Sequence, residues 1–333
     1  MDGGVQRRLT RKAAGHRPAA FSEDGRLSMG ETVIEVAGLR KRYGDLVAVD
    51  GISFEVRRGE VFALLGTNGA GKTTTIEIME GYLKPSGGTV RIFGHDPSDR
   101  RALRSRTGLV LQESGLFGEL TAAETVDAWR RFTSGARPTA EALDLVGLSG
   151  QAGTRVKHMS GGERRKLDIT LAVLGRPELL FLDEPTTGLD PEARRRVRQL
   201  VSRLAEEGTT VLLTTHYLEE AQELAARVAI MDKGRIMTYG TMAEVLGRGA
   251  GRVAFELPEG ATLAGLDLGE GHTPAMTGRR CVIVTAEPEA VAHAVLGWAG
   301  AAGIRISGLD VRQATLEEVF LDIAEGDRKV APK

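Results

Sequence analysis

EVFALLGTNGAGKTT, residues 60–74, joins an unbroken apolar run to a glycine-rich turn, and the turn to a lysine and a row of threonines. An apolar run with no polar alternation is what a strand buried on both faces of a parallel sheet requires. The turn satisfies G-x-x-x-x-G-K-[ST], and it stands after a strand and before the helix-forming KTTTIEIM, the context that gives this spacing its meaning. Gly66, Gly69 and Gly71 let the backbone curl, so that consecutive N–H groups, those of Thr67, Asn68 and Ala70 among them, point inward at phosphate oxygens. Lys72 adds a point charge for the β- and γ-phosphates, Thr73 a hydroxyl for Mg²⁺, and Thr74 a further donor.

Working outward, LLFLDEP at residues 179–185 reads as a second buried strand, delivering Asp183 to the carboxyl end of the sheet where open α/β folds bind ligands. Asp183 is suited to Mg²⁺ held through water, and Glu184 is free to orient or deprotonate an attacking water. TTVLLTTH supplies another strand, and a helix follows Pro191. Strands alternating with helices predict a parallel sheet covered on both faces. Ahead of the loop, TVIEVAGL and GISFEV, and after it GTVRIFG, are short glycine-bounded runs that predict an antiparallel region. Residues 120–148 carry apolar side chains at helical spacing. Past Gly240, RVAFEL, RCVIVTA and IRISGLDV read as strands, with EAVAHAVLGWAG and TLEEVFLDIA as helices, giving a small α+β unit without a chemical constellation.

At 333 residues the chain has room for about two domains. Its net charge of −1 argues against a nucleic-acid binder driven by a broad basic field. The single cysteine, Cys281, cannot form an internal disulfide and sits in an apolar run, where a buried thiol is expected. No stretch approaches the ~20 apolar residues that span a bilayer, and the first residues lack the apolar core of a signal peptide, so a cytosolic chain is expected. Residues 1–30 mix arginines with Gly, Ala and Pro and read as a flexible extension, with a membrane-surface or targeting tail as the alternative.

HMSGGERRKL, residues 158–167, presents a second glycine-rich helix start, again a place where backbone N–H groups meet an anion. Alone, Ser-Gly-Gly is a common helix opening. Between Gln112 and LLFLDEP it completes a set: the phosphate loop, Gln112, Ser160–Gly161–Gly162–Glu163, Asp183–Glu184, GLD ending at Asp190, and His216. This set resembles the ATP-binding cassette (ABC) ATPases over roughly residues 32–240. The resemblance implies a cassette at residues 31–240 with a parallel core sheet, an antiparallel β subdomain and a helical subdomain at about 113–160, then a C-terminal accessory or regulatory α+β domain at 241–333.

In that family the Ser-Gly-Gly motif serves the ATP of a second cassette, so two copies sandwich two nucleotides. The resemblance then casts Ser160, Gly161 and Gly162 as γ-phosphate ligands in trans, with Asp190 at the dimer seam. It casts His216 as the switch histidine, Gln112 as the Mg²⁺ and water sensor, and Tyr43 as the ring stacked on adenine. Two departures, Thr67 for a common proline and Glu163 for the usual glutamine, leave the glycines, Lys72 and Ser160 intact. PEARRRVRQL reads as a solvated helix face.

A cassette without a membrane span implies separate transmembrane permease subunits that dock beside the Gln112 loop, and a place at the cytoplasmic face of the membrane. LVLQESGLFGELTAAETV and the tail ATLEEVFLDIAEG resemble the drug- and antibiotic-exporter group, the daunorubicin-type pumps and their polysaccharide- and lipid-exporting relatives. The expectation is an exporter's ATPase using ATP and Mg²⁺; an importer's ATPase, or a cassette acting on ribosomes or DNA, are the alternatives.

Overall fold

The computed structural model describes residues 30–110, 115–247, 249–269, 272–321 and 323. Strands β1 (Thr32–Tyr43) and β2 (Leu46–Arg57) form a hairpin, and β3 (Val61–Gly66) leads through the glycine turn into α1 (Lys72–Met79). Then come β4 (Gly87–Ile92), α2 (Arg100–Leu103), β5 (Thr107–Val110), α3 (Ala122–Arg130), α4 (Thr139–Leu145) and α5 (Gly161–Val173). The sheet resumes with β6 (Leu179–Asp183), α6 (Pro191–Glu206), β7 (Thr210–Thr214), α7 (Leu218–Leu224), β8 (Arg227–Asp232), β9 (Arg235–Thr241) and α8 (Met242–Leu246).

The central sheet has the order β5-β6-β7-β3-β8-β9, parallel throughout except for β9. The motif strand β3 therefore lies inside it. Phe62 and Leu64 pack toward the antiparallel sheet β2-β1-β4, joining Ile34, Val56, Ile76 and Met79. Val61, Ala63 and Leu65 point the other way, into the core under α5 and α6. Both faces being covered explains why the run tolerates no polar residue. Phe54 stacks on Phe62 with ring centroids 5.3 Å apart, tying the two sheets together.

The segment 120–148 is less continuous than its spacing predicts. It forms α3 and α4, separated by residues 131–138, where Gly135 takes a positive φ and Pro138 supplies the N-cap of α4. α3 has already ended by its C-cap Arg131, and Pro138, which lacks an N–H, stands where α4 begins.

The C-terminal unit contains β10 (Gly251–Glu256), β11 (Ala275–Thr277), β12 (Arg280–Thr285), α9 (Pro288–Ala301) and β13 (Ser307–Arg312). Its antiparallel sheet has the order β11-β12-β10-β13, and α9 lays Val291 and Val295 over Val253, Phe255, Cys281 and Ile283. Cys281 is fully buried, as its apolar setting predicts, and burial pushes its thiol pKa up. The chain then returns to the cassette. Residues 316–321 are helical, opened by reciprocal bonds between Thr315 and Glu318, and Ala314, Leu316 and Val319 are buried in the same core as α6 and β7. The Leu316 N–H donates to Gln222 Oε1 at 2.9 Å.

Candidate nucleotide site

The glycine turn sits at the carboxyl end of β3 with the geometry that its composition demands. Gly71 has φ 100°, and a Cβ there would lie 2.4 Å from the Ala48 carbonyl oxygen. At Gly66 a Cβ would meet the Met231 carbonyl oxygen at 2.5 Å. Neither position accepts a side chain without moving backbone. Lys72 is buried, and its Nζ donates to the carbonyls of Gly66 at 2.8 Å and Thr67 at 3.2 Å, bracing the loop from inside. Desolvation lowers the Lys72 pKa, while Glu184 and Asp183 act in the opposite direction. The acids facing it thus favour a charged lysine.

Asp183 ends β6, buried, and its Oδ1 accepts from the Thr214 hydroxyl on neighbouring β7. Glu184 follows in a left-handed conformation, φ 48°, uncommon for any residue but glycine. Its N–H donates to the Thr214 carbonyl at 3.1 Å. Its Oε2 accepts from Thr187 Oγ1 at 3.0 Å and lies 3.0 Å from His216 Nδ1. His216 packs against Tyr217, ring centroids 4.1 Å apart, and Arg194 both stacks on Tyr217 and donates to its hydroxyl at 3.0 Å. The arginine-rich start of α6 is therefore only partly the solvated face that its sequence predicts: Arg194 turns inward to support the ring beneath His216.

Two cavities flank the loop. One, about 510 Å³, is lined by Tyr43, Val47, Asn68, Lys72, Thr73, Thr74 and Glu184 among others, so it brings the loop, the expected adenine-stacking ring and the acid together. Tyr43 is half-exposed at the end of β1, with the Lys41 ammonium 5.0 Å from its ring. The other, about 380 Å³, is lined by Gly66, Thr67, Asn68, Glu184, Thr215, His216, Leu218 and Phe320. Phe320 was invisible as a site neighbour in the sequence, because only tertiary return of the tail brings it there.

Ser160, Gly161, Gly162, Glu163 and Asp190 are not among the residues lining either cavity. Ser160 is the N-cap of α5: its Oγ accepts from the Glu163 N–H at 3.2 Å, and the Glu163 carboxylate accepts from the Ser160 N–H at 2.8 Å. This reciprocal pair gives Glu163 a reason of its own, and the S-x-x-E spacing was its legible signal. Gly161 and Gly162 occupy the first two helical positions, whose N–H groups have no acceptor in the helix's own ladder. Asp190 caps α6 one way only, its carboxylate accepting from the Ala193 N–H at 2.8 Å, a bond that holds its pKa below the usual carboxylate range. Gln112 lies outside the described residues.

Among the described residues no group of three or more His, Cys, Asp or Glu side chains could hold a metal ion, and no helix is long and apolar enough to cross a membrane. One buried carboxylate, Asp183, and one loop hydroxyl, Thr73, are a donor set that suits a Mg²⁺ that keeps most of its waters and arrives with phosphate oxygens.

A parallel sheet, a phosphate loop after β3, an acid pair at the end of β6 one strand beyond β3's neighbour, and a capped Ser-Gly-Gly helix start define a nucleotide-hydrolysing cassette. A family model for ABC transporters matches residues 49–187, and one for an ABC transporter domain-containing protein-like C-terminal domain matches residues 251–315. The daunorubicin resistance ATP-binding protein DrrA3 of Streptomyces coeruleorubidus is 41% identical over 315 residues, covering 91% of this chain and 99% of that protein. The linearmycin resistance ATP-binding protein LnrL of Bacillus subtilis is 33% identical over 87% of this chain and 98% of its own length. Among solved structures, an ATP-binding subunit of an ABC transporter superposes with TM-score 0.60 at 29% identity, over 65% of this chain and 93% of that one. A dimeric ATP-binding cassette in a post-hydrolysis state, bound to ADP and Pi, has TM-score 0.57 at 25% identity, over 63% of this chain and 98% of that one. The chain belongs to the ABC transporter ATP-binding proteins: it is an ATP-binding, ATP-hydrolysing transporter subunit.

Proposed function

We propose that this chain powers export of a drug-like, antibiotic or lipid-like compound through separate permease subunits at the cytoplasmic face of the membrane, working as an ATP-clamped pair of copies. The similarity to resistance ATP-binding proteins extends across both the cassette and the C-terminal unit, which supports export over import, ribosome or DNA work.

In this reading ATP occupies the cavity between Tyr43 and the phosphate loop. The N–H groups of residues 67–74 and the Lys72 ammonium bind the phosphates. Asp183, Thr73 and Gln112 would hold a Mg²⁺, which would supply charge neutralisation at the phosphates. Glu184 takes a proton from the attacking water. The Glu184–His216 pair is the observation that supports this assignment: at 3.0 Å, with Thr187 on the same oxygen, it fixes the carboxylate in the wall shared by both cavities beside the phosphate loop. The Ser160 oxygen already accepts the Glu163 N–H, so its hydroxyl proton, with the N–H groups of Gly161 and Gly162, is what it offers to the partner copy's γ-phosphate. Asp190 lies at the seam between copies.

Glu184→Gln tests this directly. Turnover is expected to fall by about 10²–10⁴-fold, the range for losing a general base. ATP binding should persist, and Mg-ATP should drive the variant to a dimer in size-exclusion chromatography with light scattering. Retained turnover would remove Glu184 from catalysis. A monomer at saturating Mg-ATP, with binding verified, would remove the sandwich.

A further inference from the structure

Arg165 is a charged side chain only 8% exposed, and it hydrogen-bonds to backbone outside its own helix. It lies on α5, in the second turn after Ser160, and reaches across to the end of β6. Its Nη2 donates to the Asp183 carbonyl at 2.6 Å and the Glu184 carbonyl at 3.0 Å, and its Nε to the Pro185 carbonyl at 3.0 Å. These carbonyls flank the Glu184 Cα on both sides. Fixing the peptide planes before and after a residue fixes the direction of its Cβ, so the guanidinium sets the direction in which the Glu184 side chain leaves the backbone, and His216 and Thr187 hold its far end. That help is needed here, because a non-glycine residue at φ 48° persists only where its surroundings hold it. The loop is held at a further point: the Thr186 hydroxyl donates to the buried Glu220 on α7 at 2.6 Å. A planar fork of donors serves three successive carbonyls in a way that an ammonium on a flexible stem does not.

We propose that Arg165 is a positioning residue for hydrolysis, locking the left-handed Glu184 turn and tying it to the helix whose first residues face the partner copy's nucleotide. The inference rests on Glu184 acting as the base. It gives α5 two ends of one device: a helix start that meets one nucleotide and, in its second turn, a guanidinium that sets the acid for the other.

The test uses the full chain with Arg165→Met and Arg165→Lys, each alone and in a Glu184→Gln background. Single-turnover hydrolysis of pre-bound Mg-ATP and affinity for a fluorescent ATP analogue are measured. For Arg165→Met we expect affinity within about twofold of the parent and hydrolysis slowed by about 10–100-fold, the scale of an ångström-level misplacement. Arg165→Lys should fall between, since one ammonium reaches some of the carbonyls. In Glu184→Gln, Arg165→Met should slow the residual rate by less than about twofold, because no base is left to misplace. If Arg165→Met fails to fold, the Lys variant carries the same comparison. Hydrolysis at the parent rate in both variants, or an equal further loss in the Glu184→Gln background, overturns the proposal. Glu184→Gln retaining full turnover would take down the underlying reading as well, so the two failures are distinguishable.

Discussion

Leu316→Ala probes whether the C-terminal tail belongs energetically to the cassette. The Leu316 side chain is fully buried among residues of the α6–β7 core, and its N–H is bonded to Gln222 across 94 positions of sequence. The change removes three carbons, which costs about 2.4 kcal/mol in transfer alone at ~0.8 kcal/mol per methylene if the neighbours close in. If they cannot, the remaining cavity raises the loss toward about 5 kcal/mol. Leu321, on the same short helix but 51% exposed, is the internal control, and Leu321→Ala should stay within about 0.5 kcal/mol of the parent. The two tryptophans report separate units, Trp129 on α3 and Trp298 on α9. In a Trp298→Phe background the fluorescence of Trp129 follows the cassette during urea unfolding. The midpoint should move down sharply for Leu316→Ala and hardly at all for Leu321→Ala. Equal midpoints would refute the reasoning and return the tail to the accessory unit.

Gly71→Ala should lower affinity for a fluorescent nucleotide by more than about tenfold, since a left-handed alanine costs roughly 1–2 kcal/mol before its Cβ meets the Ala48 carbonyl; parent-like affinity would contradict the loop geometry. Glu178 holds Arg106 through two bonds and Arg58 through one, and the side-chain bond from Arg106 is the chief cause of a carboxyl pKa lowered from 4.5 to about 2. A depressed acid stabilises the fold fully above its unfolded pKa and loses that contribution as pH falls through the folded one. The whole shift corresponds to about 3.4 kcal/mol, and with the side chain 40% exposed solvent screening cuts it to about 1–2 kcal/mol. Glu178→Gln should therefore be less stable than the parent at pH 7 by that amount, with the gap closing between pH 4.5 and 2; a gap independent of pH would exclude the ion pairs as its source.

Elements whose side chains face two covered surfaces were the most legible. β3 and β6 announce themselves because a strand buried on both sides has no polar face, and the phosphate loop because Gly66 and Gly71 sit where a Cβ would strike backbone. Helix starts were legible in principle through the S/T-x-x-E pairs at Thr121–Glu124, Ser160–Glu163, Thr241–Glu244 and Thr315–Glu318. What stayed hidden depends on distance in sequence. Thr214 bonded to Asp183, Arg194 on the ring of Tyr217, Arg165 on the strand-end carbonyls and Phe320 beside the loop are each set by packing between elements. Residue type gives little warning there: in ERRKL, Arg165 is as polar as its neighbours, yet it alone in that run is a buried guanidinium.

The solitary cysteine of this chain, sealed at the centre of the C-terminal sheet, is a built-in gauge. A thiol with no solvent access reacts with an aromatic disulfide only when the sheet and α9 part, so its labelling rate times the opening of that unit alone. Cysteines engineered at the presumed seam between copies would then be read against a silent background, and crosslinking could follow the clamp through a turnover cycle without first stripping the native sulfur.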